Sequence, residues 1–278
     1  MARAENKESA GPTARLVAKM VLSIRKQRGW SQERLGQELG YSGAAVSALE
    51  TLAQPPSDQM LMRLEAVLGE GSGFFLNAMV TIRRERYPAE FQRFAELERD
   101  AVSLLAFSMH TIHGLFQTEG YMRALFSGTY PLTSEARVEE LVVGRMERKQ
   151  LFDREPTAMI GVILDESVLT RMMGSVEVMR NQLLHLIECS ERRNVTMQVL
   201  ALDCGLDGEY AADRGPLTLI ETRGHEHLAY MEIQDVSMLV DDPAAVSVYS
   251  QRYAKIRAQA LSPRMSLDLI ARLAGEQR

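Results

Sequence analysis

The chain has 278 residues, which is long enough for two domains with separate hydrophobic cores. Its charged fraction of 25% and hydrophobic fraction of 46% are ordinary for a globular protein. Because no apolar run is long enough to span a bilayer and the N-terminus lacks the apolar core of a signal peptide, we expect a cytoplasmic protein with no membrane partner.

The net charge of −5 argues against a nucleic-acid partner only as an average over the chain. Between residues 12 and 36, six basic residues stand against the single acid Glu33, which gives a local balance of +5. Electrostatic fields depend on the local distribution of charge. An acidic remainder of the chain therefore does not exclude a basic edge that faces DNA.

The N-terminus predicts a mobile tail followed by one long helix. Residues 1–11 carry small and charged side chains with no apolar period. From Thr13 to Arg28 the apolar side chains recur with helical spacing, and Gly29 ends the pattern. We expect this apolar stripe to lie in the core of a small domain; it consists of Leu16, Val17, Met20, Val21 and Ile24.

Residues 31–50 predict two short helices joined by a tight turn. Ser31 can cap the first helix, which carries two leucines one turn apart, and Gly40 can adopt the left-handed conformation that ends it. Ser42 can cap the second helix, in which Val46 and Leu49 are spaced to bury one side. This is the pattern of a helix-turn-helix, although any two packed helices joined by a glycine turn would share the geometry.

Residue identities make the pattern specific. The segment resembles the XRE (lambda-repressor-like) family, in which a Ser/Thr-Gln-x-x-Leu-(Ala/Gly) start and a glycine turn precede a Ser-x-x-x-Val/Ile-Ser-x-Ile/Leu-Glu recognition helix. The matching residues are Ser31, Gln32, Leu35, Gly36, Gly40, Ser42, Val46, Ser47, Leu49 and Glu50.

Helix physics then assigns contacts with double-stranded DNA. The N-terminus of the helix that begins at Ser31 suits a phosphate oxygen, to which Gln32 would add a side-chain bond. The helix that begins at Ser42 would lie in the major groove. The predicted DNA-binding residues are Arg25, Arg28, Gln32, Arg34, Ser42, Gly43, Ala44, Ala45, Ser47 and Ala48.

The predicted recognition helix departs from the family at its solvent-facing positions. These are Gly43, Ala44, Ala45 and Ala48, where base-reading members usually carry Gln, Thr, Asn or Arg. None of these four side chains can make a bidentate base contact, so specificity would rest on Ser42, Ser47, Arg34 and the deformability of the DNA. Weak DNA binding, or a role mainly in dimerisation, stays open as an alternative.

The next segments predict two more helices of the small domain and then a connector. Helices are expected at about 57–68 and 73–81. Residues 82–107 predict a charge-rich helix that fits either a dimer seam or a connector packed on a second domain, and we favour the connector. Its apolar stripe consists of Phe91, Phe94, Leu97, Ala101 and Leu104.

The remainder of the chain changes from helical to mixed patterns. Residues 112–126 predict a loop, a helix capped by Thr118, and a buried aromatic pair, Tyr121 and Phe126; residues 133–152 predict an amphipathic helix. Beyond these, we expect strands at 158–164, 195–200, 217–222 and 228–233, and helices at 176–192, 244–261 and 266–274. The later half is therefore α/β or α+β around one sheet.

This later part resembles the C-terminal domain of antitoxin-like, WhiJ-like bacterial regulators. The family's motifs match within residues 114–124, 145–150, 164–166, 174–183, 195–200, 215–217 and 260–270. His113 stands where the family has proline. The resemblance implies a DNA-binding regulator whose second domain is controlled by a partner, often a small protein encoded nearby.

Metal and thiol chemistry have weak support in the sequence. His110 and His113 have metal-ligand spacing, but no cysteine or acid clusters with them, and the turn at 225–227 is expected to face water. Cys189 and Cys204 lack a CxxC spacing, so we expect both to be reduced and structural. We predict no metal and no cofactor.

Catalysis is not indicated either. Asp165 and Glu166 follow a predicted strand, and without a second positioned group they are typical of a helix cap. The sequence lacks a phosphate-binding glycine loop, a Gly-x-Ser-x-Gly elbow and a deaminase zinc motif. We therefore predict that the protein is not an enzyme.

The sequence as a whole predicts a multidomain chain: a tail (1–11), an all-α five-helix helix-turn-helix domain (12–81), a helical connector (82–154) and an α/β regulatory, partner-binding domain (155–278). The predicted function is a sequence-specific DNA-binding transcriptional regulator, a homodimer on a two-fold operator and nucleoid-associated when bound. Two alternatives are an antitoxin-like protein-interaction module and a small-molecule sensor with a Met-rich pocket.

Overall fold

The structure is a computed structural model that describes residues 11–85, 87, 91–206, 208–233 and 236–275. The chain divides into two compact units. The described residues of the first lie within 1–89 and 134–140, and those of the second within 90–133 and 141–278. The predicted mobile tail lies almost entirely outside the described residues.

Five helices build the N-terminal part of the first unit. They are α1 (Pro12–Gln27), α2 (Gln32–Leu39), α3 (Gly43–Thr51), α4 (Asp58–Leu68) and α5 (Phe74–Glu85). Val17, Leu35, Val46, Leu61 and Leu64 are fully buried at its centre. The predicted helix-turn-helix is confirmed, and α5 runs four residues beyond the predicted end at residue 81.

The buried face of α1 differs from the predicted stripe. Leu16 is 52% exposed and Met20 is 36% exposed, so the expectation that both lie in the core is wrong. The buried residues are instead Ala14, Val17, Ala18 and Val21 together with Arg25. Two small alanines on this face allow α1 to approach its neighbours closely, which turns the larger side chains of Leu16 and Met20 towards solvent.

The second unit is built around one six-stranded sheet. Its strands are β1 (Ala101–Ser108), β2 (Met159–Asp165), β3 (Val195–Leu200), β4 (Leu217–Thr222), β5 (His227–Ile233) and β6 (Val236–Val240). Their order is β3-β2-β1-β4-β5-β6, with β1, β2 and β3 mutually parallel and the other pairs antiparallel. The predicted multidomain fold, with a helical helix-turn-helix region followed by a domain around one sheet, is confirmed.

The remaining helices surround this sheet or connect its strands. They are α6 (Gln92–Asp100), α7 (Glu119–Ser127), α8 (Glu135–Glu147), α9 (Glu166–Thr170), α10 (Val176–Ser190), α11 (Pro243–Gln259) and α12 (Pro263–Leu273). Leu186 of α10 and Ile270 of α12 pack in the core on one face of the sheet, and Tyr253 and Ile256 of α11 pack on the other. Helices on both faces explain why the parallel strands are almost continuously apolar.

Strand β1 corrects the predicted connector helix. The helix expected to run through residue 107 ends at Asp100, and Ala101–Ser108 forms a strand between β2 and β4. Leu104 pairs with Ile160 on one side and Ile220 on the other. The alanines and leucines of this segment favour a helix locally, but pairing on both edges and burial on both faces outweigh that propensity.

Two smaller differences concern exposure and length. Phe126 is only half-buried, so the predicted buried aromatic pair is wrong for that residue, while Tyr121 is fully buried. Strand β6 was not predicted, and it forms one edge of the sheet. Its five residues are all exposed or half-exposed, although four of them are apolar.

The residues that carry the second resemblance act as hydrogen-bonding clamps in this fold. Gln117 donates to the Ile112 carbonyl at 2.6 Å and accepts from Arg145 at 2.8 Å. Gln182 accepts from the Thr118 backbone at 2.7 Å and donates to a second carbonyl of the same loop. These buried amides satisfy loop backbone groups that would otherwise be unpaired.

A buried ion pair anchors α6 in the second unit. Arg148 holds Glu98 in a bidentate pair at 2.6 and 2.8 Å, and both side chains are more than nine-tenths buried. Two hydrogen bonds in a fixed fork make this one of the stronger ion-pair geometries available to proteins. It fixes the helix that leads directly into β1.

We predict that Leu104→Ala lowers the free energy of unfolding of the second unit by about 3 kcal/mol, because it leaves a cavity at a fully buried position of the central strand. Leu132→Ala is the matched control, since Leu132 is 84% exposed and the same truncation there costs less than about 0.5 kcal/mol. Urea unfolding of both variants measures the difference. Equal costs at the two positions would contradict the assignment of β1 to the centre of the sheet.

Candidate nucleic-acid interface

The two helices of the helix-turn-helix begin and end as the sequence predicts. The Ser31 hydroxyl accepts from the Arg34 backbone N–H at 3.1 Å, and the Ser42 hydroxyl accepts from that of Ala45 at 3.2 Å. Gly40 ends α2 in the left-handed conformation with a φ of 75°. These caps fix both helix N-termini, where free N–H groups favour a negatively charged ligand.

Glycines let α2 and α3 pack at very close range. A Cβ on Gly36 would lie 2.7 Å from the Tyr41 carbonyl oxygen, closer than such atoms can approach. A Cβ on Gly43 would lie 3.1 Å from two side-chain atoms of Glu33. Position 43 therefore has no room for a large base-reading side chain unless Glu33 moves, which gives the glycine at the start of α3 a packing reason.

A buried carboxylate joins three helices behind this surface. Glu50 accepts two hydrogen bonds from Arg25, at 2.6 and 2.9 Å, and one from the Gln32 side chain at 2.7 Å. Arg25 also donates to the Trp30 carbonyl at 2.8 Å. The Glu50 side chain is 3% exposed, so α1, α2 and α3 are tied together through one charged group.

The protonation of this group follows its surroundings. Burial by itself raises the pKa of Glu50, but the hydrogen bonds from Arg25 and Gln32 and the positive charge of Arg25 outweigh it, and the pKa lies below its ordinary value. The hydrogen bond to Glu50 correspondingly raises the pKa of Arg25. Both groups are therefore charged at neutral pH.

This network changes how Arg25 and Gln32 enter the predicted site. The Arg25 guanidinium is buried and already holds Glu50, so it positions the site from behind. Gln32 donates one N–H to Glu50, and because an amide nitrogen carries two hydrogens, the other can donate to a phosphate. The network holds the Gln32 side chain in a fixed orientation.

The other two predicted arginines lie beside Trp30. The Arg28 guanidinium carbon is 5.1 Å from the Trp30 ring centroid, and that of Arg34 is 6.0 Å away. Arg28 is also engaged with the Val67 carbonyl and with Glu70. Arg34 is 58% exposed and forms an ion pair with the exposed Glu38 on its own helix, an interaction weak enough to be exchanged for a phosphate.

The exposed side of α3 is narrower than the sequence suggests. Of its small residues only Ala44 is exposed; Gly43 and Ala48 are half-buried, and Ala45 is half-buried against the domain core. Ser42 is exposed and Ser47 is half-buried. All predicted DNA-binding residues lie in α1 and its C-cap or in the helix-turn-helix and its caps, but only some of them carry a polar side chain that is exposed.

Sequence reasoning missed two residues that shape this surface. Glu50 appeared only as part of the family pattern, although it is the acceptor that orders Arg25 and Gln32; the pairing joins positions 25 residues apart, which helical spacing does not reveal. Glu33 fills the space beside Gly43. Glu33 is the one acidic residue in the basic segment 12–36, and this exception was the signal that could have singled it out.

Other sequence candidates have structural surroundings of their own. His113 accepts from the Leu115 backbone through Nδ1 at 3.4 Å, and burial, with the charges of Arg148 and Arg145, lowers the pKa of His113 to about 3. Within residues 11–275, apart from the few positions the structure does not describe, no three His, Cys, Asp or Glu side chains are grouped to hold a metal. Asp165 caps α9, as predicted.

Comparisons with known proteins agree with the division of the chain. The family model described as "Helix-turn-helix" matches residues 21–75, which contain α2 and α3. A DNA-binding regulator of the XRE type is the class of protein that this domain supports. The model described as "Domain of unknown function (DUF5753)" matches residues 91–272, more than half of the chain, and the chain belongs to this family.

No curated protein and no solved structure matched the chain in the same comparisons. Among the described residues, none of the helices combines the length and the apolar character needed to cross a membrane. Cys189 and Cys204 are both free thiols.

We predict that Glu50→Gln lowers the free energy of unfolding of the N-terminal domain by about 3 kcal/mol at pH 7, because it leaves the buried Arg25 without its counter-charge. The pKa of Glu50 is depressed in the folded state, so its contribution is present above the ordinary value of 4.5 and is lost as the pH falls through the folded pKa. The difference between wild type and variant should therefore shrink below about pH 4. Thermal unfolding from pH 3 to pH 8, followed by Trp30 fluorescence, measures it, and a difference independent of pH would contradict the charged network.

Proposed function

We propose that this chain is a sequence-specific DNA-binding transcriptional regulator that docks α3 in the major groove and the N-terminus of α2 on the sugar-phosphate backbone. The observation that carries this proposal is the pair of capped helices, α2 and α3, which Glu50 holds in fixed positions. They lie in or beside the basic segment 12–36, whose local charge balance is +5. The polar contacts on phosphates come from Gln32 and Arg34. Ser42, Ala44 and Ser47 face the bases.

Specificity in this proposal comes more from DNA shape than from base-edge hydrogen bonds. The exposed Ala44 offers only a methyl group, which can contact a thymine methyl, and two serine hydroxyls are compatible with several bases. Sequence preference would then depend on how easily the operator adopts the geometry that lets Gln32 and Arg34 reach the backbone.

We infer that two copies act together on a two-fold operator. A single helix-turn-helix covers only one half-site, and paired units place their recognition helices about one DNA turn, roughly 34 Å, apart. The helix-turn-helix match supports DNA binding but says nothing about how many copies bind. Dimerisation is therefore part of the proposal. The second unit, which includes its own sheet and core, is proposed as the regulatory domain that receives a small partner protein or an effector.

An antitoxin-like protein-interaction module is the second candidate. The observation that favours it is the small, largely half-buried surface of α3, which offers few side chains for reading bases. In that case DNA binding would be weak and secondary. The two candidates differ in what a charge placed on α3 does to the affinity for DNA.

We predict that Ala44→Asp lowers operator affinity at least about tenfold, because it puts a negative charge at the centre of the proposed groove contact. Folding should be unchanged or slightly stabilised, since an acid in the first turn of α3 suits the helix dipole. Ala66→Asp on α4 is the matched control, because Ala66 is also an exposed helical alanine. Fluorescence anisotropy on DNA selected from a random pool measures both, and equal affinities for the two variants would exclude α3 from the groove.

We predict that Arg34→Ala weakens binding to all DNA sequences alike and reduces the slope of log affinity against log salt by about 0.9 for each copy bound. A dimer on a two-fold site should therefore lose about 1.8. The matched control is Arg264→Ala, which removes the same charge from an exposed position of α12. An unchanged slope for Arg34→Ala would contradict the phosphate contact, and a loss of about 0.9 would contradict the dimer.

A further inference from the structure

A cleft opens at the carboxyl ends of the three parallel strands of the second unit. It has a volume of about 420 Å³ and is lined by residues that follow each of these strands: Met109 after β1, Asp165 and Ser167 where β2 passes into α9, and Ala201, Leu202, Cys204, Gly205 and Tyr210 after β3. In open sheets with helices on both faces, ligands bind outside the carboxyl ends of the strands, because loops of variable sequence converge there on a rigid base. The cleft lies at the position where such a fold holds a ligand.

The lining of the cleft is mainly apolar and includes one carboxylate. Met109, Ala201, Leu202 and the ring of Tyr210 supply carbon surface, and Asp165 supplies a carboxylate that is 8% exposed. The described acids are not grouped in threes around a point, so a bare metal ion does not fit this lining. An organic molecule with an apolar body does.

Asp165 keeps one oxygen for a ligand. Both hydrogen bonds that its side chain receives from described residues, from the Ser167 backbone at 3.0 Å and from the Ser167 hydroxyl, end on Oδ1. The neighbouring carboxylate of Glu166 accepts from the Leu202 backbone at 3.0 Å, which ties the loop after β3 to the end of β2. The rim is therefore ordered, and the hydrogen bonds from Ser167 leave Oδ2 of Asp165 as the acceptor available to a ligand.

The electrostatics of the cleft are negative. Burial raises the pKa of the Cys204 thiol, and the charges of Asp165 and Asp203 raise it further. Burial and Asp165 act in the same direction on the pKa of the Tyr210 hydroxyl. Among the described residues that line the cleft, Asp165 is the one charged side chain, so the lining favours a cation over an anion.

We propose that this cleft binds a small organic cation, a primary amine with an apolar body, whose ammonium group donates to Asp165 and whose carbon atoms pack on Met109, Leu202 and Tyr210. Tyr210 is 42% exposed, so its ring is free to lie against the ligand and to add a cation–π contact. The idea that the amine acts as an effector of a regulator rests on the function proposed above. The idea that the cleft binds an amine depends on the second unit alone.

The test is calorimetric titration of the purified full chain at pH 7 with 2-phenylethylamine as the probe and 2-phenylethanol as its neutral counterpart. The amine should bind with a dissociation constant of about 1 mM or lower, and the alcohol at least about tenfold more weakly, since one charge-assisted hydrogen bond separates them. Asp165→Asn should weaken amine binding by about tenfold or more, while Asp268→Asn, which makes the same charge change at an exposed position of α12, should leave it unchanged.

Asparagine can accept the same hydrogen bonds from Ser167 and caps helices well, so Asp165→Asn is expected to fold. If its thermal unfolding is altered, Tyr210→Ala decides, because it removes a partly exposed ring and should weaken the amine severalfold. Absence of amine binding, equal binding of amine and alcohol, or full amine affinity in both cleft variants would overturn the proposal. The titration contains no DNA, so its failure leaves the proposed DNA binding untouched, and a failed operator assay leaves the cleft untouched.

Discussion

The buried carboxylate of Glu50 is the constraint on which the N-terminal surface depends. Glu50 belongs to α3. Its carboxylate accepts two hydrogen bonds from Arg25 of α1 and one from the amide of Gln32 at the start of α2. A charge with 3% exposure is costly to bury, and it is tolerated here because three donors satisfy it. The same bonds that offset this cost fix the relative positions of α2 and α3. The stability of this domain and the geometry of the proposed DNA contact are therefore two effects of one interaction.

The close packing of α2 on α3 limits the size of the side chains that α3, the proposed recognition helix, can carry. Gly36 lies against the turn, and Gly43 lies against Glu33, so the first turn of α3 is pressed onto α2 with small residues on both sides. A helix packed this closely has only short side chains in its first turn, but its position is precisely fixed. Rigid placement with few base-reading groups is the arrangement in which DNA shape contributes most to selectivity.

Local sequence patterns predict most of the helices and their caps, but they do not predict contacts between residues far apart in the chain. The caps at Ser31, Ser42, Thr118 and Asp165 and the end of α2 at Gly40 follow from residue types next to each helix, and all are present. The prediction that Leu16 and Met20 are buried is wrong, because the side of α1 that faces the core depends on the small size of Ala14 and Ala18. The sequence predicts a helix where β1 lies, because the partners β2 and β4 are far along the chain and no local period marks a strand buried on both faces. The network around Glu50 and the negative cleft arise from residues that only the tertiary fold brings together.

The central place of β1 also bears on how the protein is made. Ribosomes deliver β1, β2 and β3 in that order, and these three can pair as they emerge, whereas the opposite edge of β1 is completed only by β4, at residues 217–222. Until β4 has been synthesised, the nascent chain has an unpaired, apolar strand edge, and such edges promote aggregation. A fragment that ends before Leu217 therefore keeps this edge of β1 unpaired. The helices of the N-terminal domain, which make contacts closer in sequence, can form while the sheet is still being synthesised.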